Sequence, residues 1–295
     1  MAFLRERSGR WSPLKIVAFT GAVLPALWIA YQALTDDLGA RPVTEAIHQA
    51  GDWALRFLLI TLAITPAQRI LHYPRLVLAR RTLGVASAAY AGLHLSLYVI
   101  DQHFDWFKVA SEIVLRFYLL IGAIALTGLI ALASTSTDAA VRRLGARRWN
   151  ALHRVVYAVA LLGSVHFFIQ SKLEIYQPVL MAGFLLWLLA YRVLYHRYGE
   201  LTPLHLLLLA VIAAAATAAG EATIYMLTSG VDAGRILRAN FDFDLEMRPA
   251  WWVLAAGLLV ATAGFWRYQP MRQRASARRI ASAALSPATQ VQSDS

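Results

Sequence analysis

Residues 117–133 read Phe-Tyr-Leu-Leu-Ile-Gly-Ala-Ile-Ala-Leu-Thr-Gly-Leu-Ile-Ala-Leu-Ala and contain no charged side chain. A helix rises about 1.5 Å per residue, so an apolar run of about 20 residues matches the hydrocarbon core of a bilayer, roughly 30 Å thick. Such runs recur along the whole chain. They predict eight transmembrane helices, at approximately 16–34, 53–71, 82–100, 113–133, 151–170, 178–196, 203–228 and 250–266.

The composition supports this prediction. The chain has 295 residues, of which 59% are hydrophobic and 15% are charged, whereas about a quarter of the residues in a soluble domain are charged. No apolar run alternates strictly between apolar and polar residues, so a β-barrel is not expected. We therefore predict an all-α fold, a polytopic transmembrane helix bundle.

The basic residues are distributed unevenly between the two sides of this bundle. With the N-terminus inside and the spans alternating, 20 of the 28 lysines and arginines lie on the inner side. The positive-inside rule then predicts that both termini are cytoplasmic. The net charge of +11 is explained by this topology and by contact with anionic membrane lipid, so nucleic-acid binding is not expected. The first run is long enough to span and lacks an evident cleavage site, so we expect no cleavable signal peptide.

The chain contains no cysteine. This excludes disulfides, iron–sulfur clusters, thiolate zinc sites and covalently attached c-type haem, each of which needs cysteine. Any haem must be held without a covalent link, through histidine or methionine.

Two histidines lie deep in predicted spans at matched depth. His94 follows Arg81 by 13 residues, and His166 follows Arg154 by 12, so both rise roughly 18–20 Å from the inner surface. A six-coordinate haem iron takes two imidazoles that face each other at one height. The pair is therefore predicted to bind haem, with a proton relay or polar packing as the alternatives.

Small residues near both histidines would let a flat ring approach the helices. They are equally typical of ordinary packing between transmembrane helices. These residues are Ala88, Ala91, Gly92, Gly163 and Ser164.

His153 is the third histidine within a span and lies roughly 20 Å below His166. That separation suits a second haem. However, 13 residues at about 100° each leave the two side chains off one helix face. The third span has Arg80 and Arg81 at this level, so His153 would need a partner such as His72. The alternative is an interfacial histidine. The other histidines, in loops or at span ends, are expected to be solvated or interfacial: His48, His72, His103, His196 and His205.

Several charged residues are candidates for cofactor contacts. Arg56 and Arg116, predicted one turn inside the outer ends of their spans, are placed to pair with haem propionates or to snorkel to the interface. Arg80 and Arg81 are placed to hold a flavin phosphate, although the positive-inside rule also accounts for them. Glu221 has two possible roles: a proton-handling carboxylate at a quinol site, or a side chain that bonds to a neighbouring helix. The chain lacks a G-x-G-x-x-G dinucleotide motif, so electrons would arrive from a membrane quinol or another protein.

Several motifs in order along residues 14–198 carry a family resemblance. They include Leu-Ala-Ile-Thr-Pro at 62–66, Ala-Arg-Arg-Thr-Leu-Gly at 79–84, Gly-Leu-His-Leu at 92–95 and Arg-Arg-Leu-Gly-Ala-Arg-Arg-Trp-Asn-Ala-Leu-His at 142–153. With these motifs the chain resembles the MsrQ family, haem-binding membrane subunits of periplasmic methionine sulfoxide reductase systems. That family belongs to the wider ferric-reductase-like transmembrane family.

The resemblance implies that His94, His153 and His166 are ligands of one or two b-type haems in a bacterial inner membrane, with FMN as a candidate further cofactor. It implies electron flow from the quinone pool to a periplasmic molybdopterin-containing methionine sulfoxide reductase, which repairs oxidised envelope proteins. The alternatives are a transmembrane cytochrome b that reduces ferric iron or oxygen, and a cofactor-free transporter or structural membrane protein.

The same reasoning divides the chain. We predict a six-helix haem-binding core at 14–198, an extension of two C-terminal helices at 199–268, and a disordered cytoplasmic tail at 269–295.

Overall fold

The computed structural model describes residues 11–172, 174–244 and 246–284, with side chains described as far as residue 267. Within these ranges the regular structure is helical throughout. A short 3-10 turn at Pro74–Leu76 precedes α3. The helices are α1 Pro13–Leu34, α2 Pro42–Ile70, α3 Val77–Asp101, α4 Trp106–Leu115, α5 Phe117–Ser134, α6 Asp138–His153, α7 Val155–Ser171, α8 Tyr176–Tyr198, α9 Pro203–Ser229, α10 Ala233–Ala239 and α11 Pro249–Ala284.

Eight helical stretches in the described part of the chain are long and apolar enough to cross a membrane. They confirm the prediction of an all-α polytopic bundle and match the eight predicted spans one for one. The stretches are Pro13–Leu34, Pro42–Ile70, Pro74–Asp101, Phe117–Ser134, Asp138–Ser171, Tyr176–Tyr198, Pro203–Ser229 and Pro249–Arg267.

The start of the fourth span differs from the prediction. Arg116 has extended backbone angles, φ −100° and ψ 107°, and separates α4 from α5. The span therefore begins at Phe117 and not at 113, and Arg116 lies just before it and not one turn inside. The exposed side chains of Trp106 and Phe107 make α4 an amphipathic helix of the kind that lies at a membrane interface.

The bundle is built from three helix pairs: α2 with α3, α5 with α7, and α9 with α11. Helix α8 contacts one member or more of each of the pairs α2–α3, α5–α7 and α9–α11, and α1 covers α2 and α3. The central core comes from α2, α5, α7 and α8 and includes Leu58, Leu129, Val159 and Leu185. Close approach within a pair depends on small residues, as it commonly does between membrane helices.

The two ends of the bundle differ in charge. We call the end where α2 and α8 finish and α3, α7 and α9 begin the basic end. It holds Arg69, Arg80, Arg81, Arg192 and Arg197. The other end, where α3 and α7 finish, is called the opposite end.

Helix α11 continues to Ala284 and so overlaps the tail expected at 269–295. The remainder of that expected tail, residues 285–295, lies outside the described residues.

Gly257 on α11 faces Ala210 on α9. A Cβ added at Gly257 would overlap the Ala210 Cβ and lie 3.1 Å from its Cα. We expect Gly257→Ala to separate α9 from α11 and to lower stability by about 1–3 kcal/mol, the usual cost of overpacking. The measurement is the thermal unfolding midpoint of the full chain in detergent.

Gly220→Ala is the matched control, because a Cβ there meets nothing within 4 Å. Its midpoint should stay or rise, since alanine favours a helix over glycine by about 1 kcal/mol. Equal midpoints for the two variants would contradict the packing described for α9 and α11.

Candidate functional site

His94 and His166 meet in the part of the bundle nearer the opposite end. They lie in the last third of α3 and of α7, respectively. Their ring centroids are 6.2 Å apart, and their planes are nearly perpendicular, at 89°. The two imidazoles that residue counting places at one depth are thus brought next to each other by the fold.

Both rings are held in the same tautomer by the backbone. Nδ1 of His94 donates to the carbonyl oxygen of Ile47, and Nδ1 of His166 donates to that of Tyr118, each at 2.8 Å. Because a carbonyl oxygen only accepts, Nδ1 carries the proton in both rings. Nε2 of each neutral imidazole therefore keeps its lone pair, which is the state that a metal ligand needs.

Two glycines make room for these rings. A Cβ at Gly51 would lie 2.9 Å from Nδ1 of His94, and one at Gly122 would lie 2.8 Å from Cε1 of His166. Gly51 belongs to α2 and Gly122 to α5. Each imidazole is therefore seated by the partner helix of its own pair: α2 holds the ring from α3, and α5 holds the ring from α7.

The separation of the rings fits a metal ion between them. Two imidazoles that bind one ion from opposite sides, each through a bond of about 2 Å, have ring centroids roughly 6 Å apart. The observed 6.2 Å agrees, and both free Nε2 atoms have the correct protonation. Two neutral histidines across one iron are the ligand set of a six-coordinate haem.

Some of the small residues predicted to border a flat ring pack against other side chains, whereas one faces open space. Ala88 and Ala91 pack against the hydrophobic core. A Cβ at Gly163 would meet Leu55 at 3.7 Å, whereas one at Gly92 would meet nothing within 4 Å. Helix packing therefore accounts for Ala88, Ala91 and Gly163, and Gly92 remains open.

His153 lies apart, at the end of α6, with its ring stacked on Trp149 at 3.8 Å between centroids. The hydroxyl of Thr135 lies 2.7 Å from Ala131 O, to which it donates, and 3.2 Å from Nε2 of His153. Nε2 of His153 thus contacts a hydroxyl within the protein, and the imidazole tautomer decides which of these two atoms donates. Among the described side chains, no second imidazole contacts this ring.

The two candidate propionate partners already have partners within the protein. Arg56 lies 3.6 Å from Asp52, donates to Gln177 at 3.3 Å and stacks on Trp53.

Arg116 pairs with Glu112 at 3.0 Å and donates to the Tyr118 hydroxyl at 3.1 Å. It stands two residues before the carbonyl that accepts from His166. A contact of Arg56 or Arg116 with a propionate stays a prediction.

The two candidate flavin-phosphate residues differ in exposure and in partners. Arg81 is exposed and forms an ion pair with Asp138 at 2.8 Å. Arg80 is half-buried and lies close enough to Tyr157 and Arg192 to interact with them electrostatically. Their role with FMN stays a prediction.

Glu221 is 1% exposed and pairs with Arg248 at 3.1 Å, while its Oε2 has no hydrogen-bond partner among the described residues. The ion pair ties α9 to the start of α11. His205, expected to be interfacial, completes a capping box with Thr202 at the start of α9.

Sequence reasoning missed the carbonyls of Ile47 and Tyr118 and the two seating glycines. Glycine within an apolar helix is the only sequence signal that Gly51 and Gly122 offer, and it does not say which ring each one faces.

The chain matches one family model and several curated proteins. Residues 50–164 match the family model described as "Ferric reductase like transmembrane component". That match includes His94 and His153 and stops just before His166. No solved structure matches the chain significantly.

The alignments with three curated relatives cover most of the length of each relative. A Rhodospirillum rubrum protein named "Protein-methionine-sulfoxide reductase heme-binding subunit MsrQ" is 41% identical over 189 residues, 64% of this chain and 88% of that protein. Proteins of the same name from Caulobacter vibrioides and Azospira oryzae are 41% and 39% identical, over 57% and 62% of this chain and 81% and 79% of their own. More than a third of this chain thus lies outside each match. With this identity over nearly nine-tenths of the Rhodospirillum rubrum protein, and with eight helices able to span a membrane, the chain is a multi-pass membrane protein that belongs to the MsrQ family.

Proposed function

We propose that the chain binds b-type haem between α3 and α7, with Nε2 of His94 and Nε2 of His166 as the two axial ligands. The observation that carries this proposal is the matched pair of Nδ1 hydrogen bonds, to Ile47 O and Tyr118 O at 2.8 Å. They leave both Nε2 atoms free across a gap of the correct size. The relatives' printed name, a heme-binding subunit, supports it.

Haem supplies a one-electron carrier whose potential depends on its ligands and their hydrogen bonds. The protein's part is to keep both imidazoles neutral and to fix their direction. A carbonyl that accepts from Nδ1–H also raises the basicity of Nε2. Because α2 and α5 make these bonds with their backbone, the arrangement does not depend on a titratable second partner.

We further propose that the chain is an electron-transfer subunit in a bacterial inner membrane. Electrons would pass from the quinone pool to a periplasmic molybdopterin-containing methionine sulfoxide reductase. The relatives' name supports the link to methionine sulfoxide reduction. Methionine sulfoxide is a reversible lesion, so repair by reduction is chemically sensible. The basic end would be cytoplasmic by the positive-inside rule, which places His94 and His166 nearer the periplasm.

Removing either axial ligand should empty this site. We expect His94→Ala and His166→Ala to lose the haem that wild type carries there, because a six-coordinate iron loses half of its axial set. The measurements are the dithionite-reduced minus oxidised visible spectrum and a pyridine haemochrome count per chain.

His153→Ala is the comparison variant. It should keep the spectrum of the His94–His166 haem, and its count relative to wild type decides whether His153 binds a second haem. Unchanged haem content in either His94→Ala or His166→Ala would refute the axial assignment.

Gly122→Ala should weaken haem binding without removing a ligand. The added Cβ would lie 2.8 Å from Cε1 and 2.9 Å from Nδ1 of His166, so the ring must move off the Tyr118 carbonyl. Loss of such an orienting contact typically costs roughly 10–100-fold in affinity. Haem titration of the purified apoprotein measures it.

Gly21→Ala is the matched control, since a Cβ at that position in α1 meets nothing within 4 Å. Both variants should retain wild-type helix content by circular dichroism. Equal haem affinity for Gly122→Ala and Gly21→Ala would show that the close approach of Gly122 does not position His166.

The proposed route is tested in proteoliposomes that hold the haem-loaded chain and a quinol. We expect the quinol to reduce the haem, and methionine sulfoxide to reoxidise it only when the molybdopterin reductase is present. Reoxidation by a ferric chelate or by oxygen at the same rate, without that reductase, would favour the alternative of a ferric or oxygen reductase. Proteoliposomes with His166→Ala measure the background electron transfer that does not need the proposed haem.

A further inference from the structure

A cavity of about 430 Å³ lies at the basic end, among residues of α2, α7 and α8. It is separate from the His94–His166 site. Arg69 and His196 are exposed at its rim, and Tyr191, at 5% exposure, lies in its interior. The other residues that line it are Thr65, Pro66, Tyr157, Arg192 and Tyr195.

Arg69, in the last turn of α2, presents an available guanidinium. Its Cζ lies 3.9 Å from the centroid of the Tyr195 ring. This stacking uses a face of the planar group and leaves its N–H donors, which point along the edge, free for an acceptor. Within the described ranges, Arg69 has no carboxylate at ion-pair distance and no hydrogen-bonded acceptor for its side chain.

Arg192, on α8, is fixed in place by neutral groups. Its Nε donates to the Tyr157 hydroxyl at 3.0 Å, and its terminal nitrogens donate to Leu188 O at 3.1 Å and Leu62 O at 2.6 Å. These bonds orient the guanidinium but supply no negative charge. No described carboxylate pairs with it. A half-buried, uncompensated cation within a membrane protein is costly and is usually retained for a function.

The surroundings increase this positive charge. Arg80 on α3 lies close enough to Arg192 for the two like charges to repel. Glu200, just beyond α8, interacts electrostatically with Tyr191. It is exposed, and among the described residues it pairs with neither Arg69 nor Arg192. By contrast, Arg56, Arg81, Arg116 and Arg248 each pair with a carboxylate of the chain. Among the described residues, the cavity therefore lacks a carboxylate counter-ion of the kind that these four arginines have.

We propose that this cavity binds the phosphate group of an anionic ligand, with Arg69 and Arg192 as its cationic partners. Guanidinium pairs with phosphate through two parallel hydrogen bonds, and it is the preferred side chain for that purpose. The phosphate has two possible sources: the headgroup of an anionic phospholipid in the adjoining leaflet, and a soluble phosphate compound. Basic pockets between transmembrane helices at the cytoplasmic side are typical binding sites for anionic headgroups.

The test uses the full chain in detergent, stripped of lipid and examined by native mass spectrometry. The probes are phosphatidylglycerol, diacylglycerol with the same acyl chains and no phosphate, and inorganic phosphate. Wild type should bind phosphatidylglycerol in preference to diacylglycerol. Arg69→Gln should weaken that binding roughly tenfold to a hundredfold, the usual worth of a charge-assisted hydrogen bond.

Arg69→Gln removes the contact with Tyr195 and the electrostatic interaction with Tyr191, but no hydrogen bond or ion pair found among the described residues, so the fold should persist. Thermal unfolding and the haem spectrum check this, and they also keep the result independent of the proposed haem function. The control is Arg235→Gln, which makes the same charge change at an exposed position near the opposite end and should bind as wild type does.

The arms separate the two sources. Binding of phosphatidylglycerol that inorganic phosphate does not displace assigns the site to a lipid headgroup. Binding of inorganic phosphate, lost in Arg69→Gln, without selective lipid binding assigns it to a soluble phosphate compound. Equal binding of phosphatidylglycerol and diacylglycerol with no phosphate binding overturns the proposal. So does wild-type affinity in Arg69→Gln, or an equal loss in Arg235→Gln.

Discussion

The arrangement of the candidate site depends on one interaction made twice, an Nδ1–H bond from an imidazole to a backbone carbonyl. Helix carbonyls normally accept from an amide four residues on, yet those of Ile47 and Tyr118 also accept from a side chain on the neighbouring helix. Each bond requires the helix pair to approach closely, and Gly51 and Gly122 permit that approach. Pairing of α2 with α3 and of α5 with α7 therefore serves two purposes at once: it buries apolar surface, and it sets the tautomer of a ligand.

Much of this was predictable from the sequence. Eight spans follow from the length and composition of the apolar runs, because a bilayer imposes both. The common depth of His94 and His166 follows from counting residues beyond Arg81 and Arg154, because a helix has a fixed rise. The partners of the two rings do not follow, since counting along one helix does not show which neighbour packs against it. The carbonyls of Ile47 and Tyr118 depend wholly on that choice.

The misplaced start of the fourth span has a physical cause as well. A hydrophobicity pattern joined 113–116 to the fourth span because Ile113, Val114 and Leu115 are apolar, but Arg116 breaks the helix there and turns α4 aside. The role of His153 stays a prediction, since the sequence already sets it off the helix face of His166 and without a histidine partner on the third span. The structure adds a contact at 3.2 Å between its Nε2 and the Thr135 hydroxyl, whose direction depends on the imidazole tautomer. Such a contact leaves no trace in spacing or composition.

The placement of the paired histidines on α3 and α7 also bears on how the protein is made. Seventy-two residues separate His94 from His166, so at about 5–20 residues per second the ribosome needs roughly 4–14 seconds to pass from one to the other. For most of that interval, between synthesis of residue 101 and of residue 155, α3 and its partner α2 are complete while α7 does not yet exist. The two halves of the site come from separately synthesised helical hairpins and can meet only after the second has entered the bilayer. Loading of the proposed haem between them would therefore be a late event in biogenesis, after insertion of α7 and not during emergence of α3.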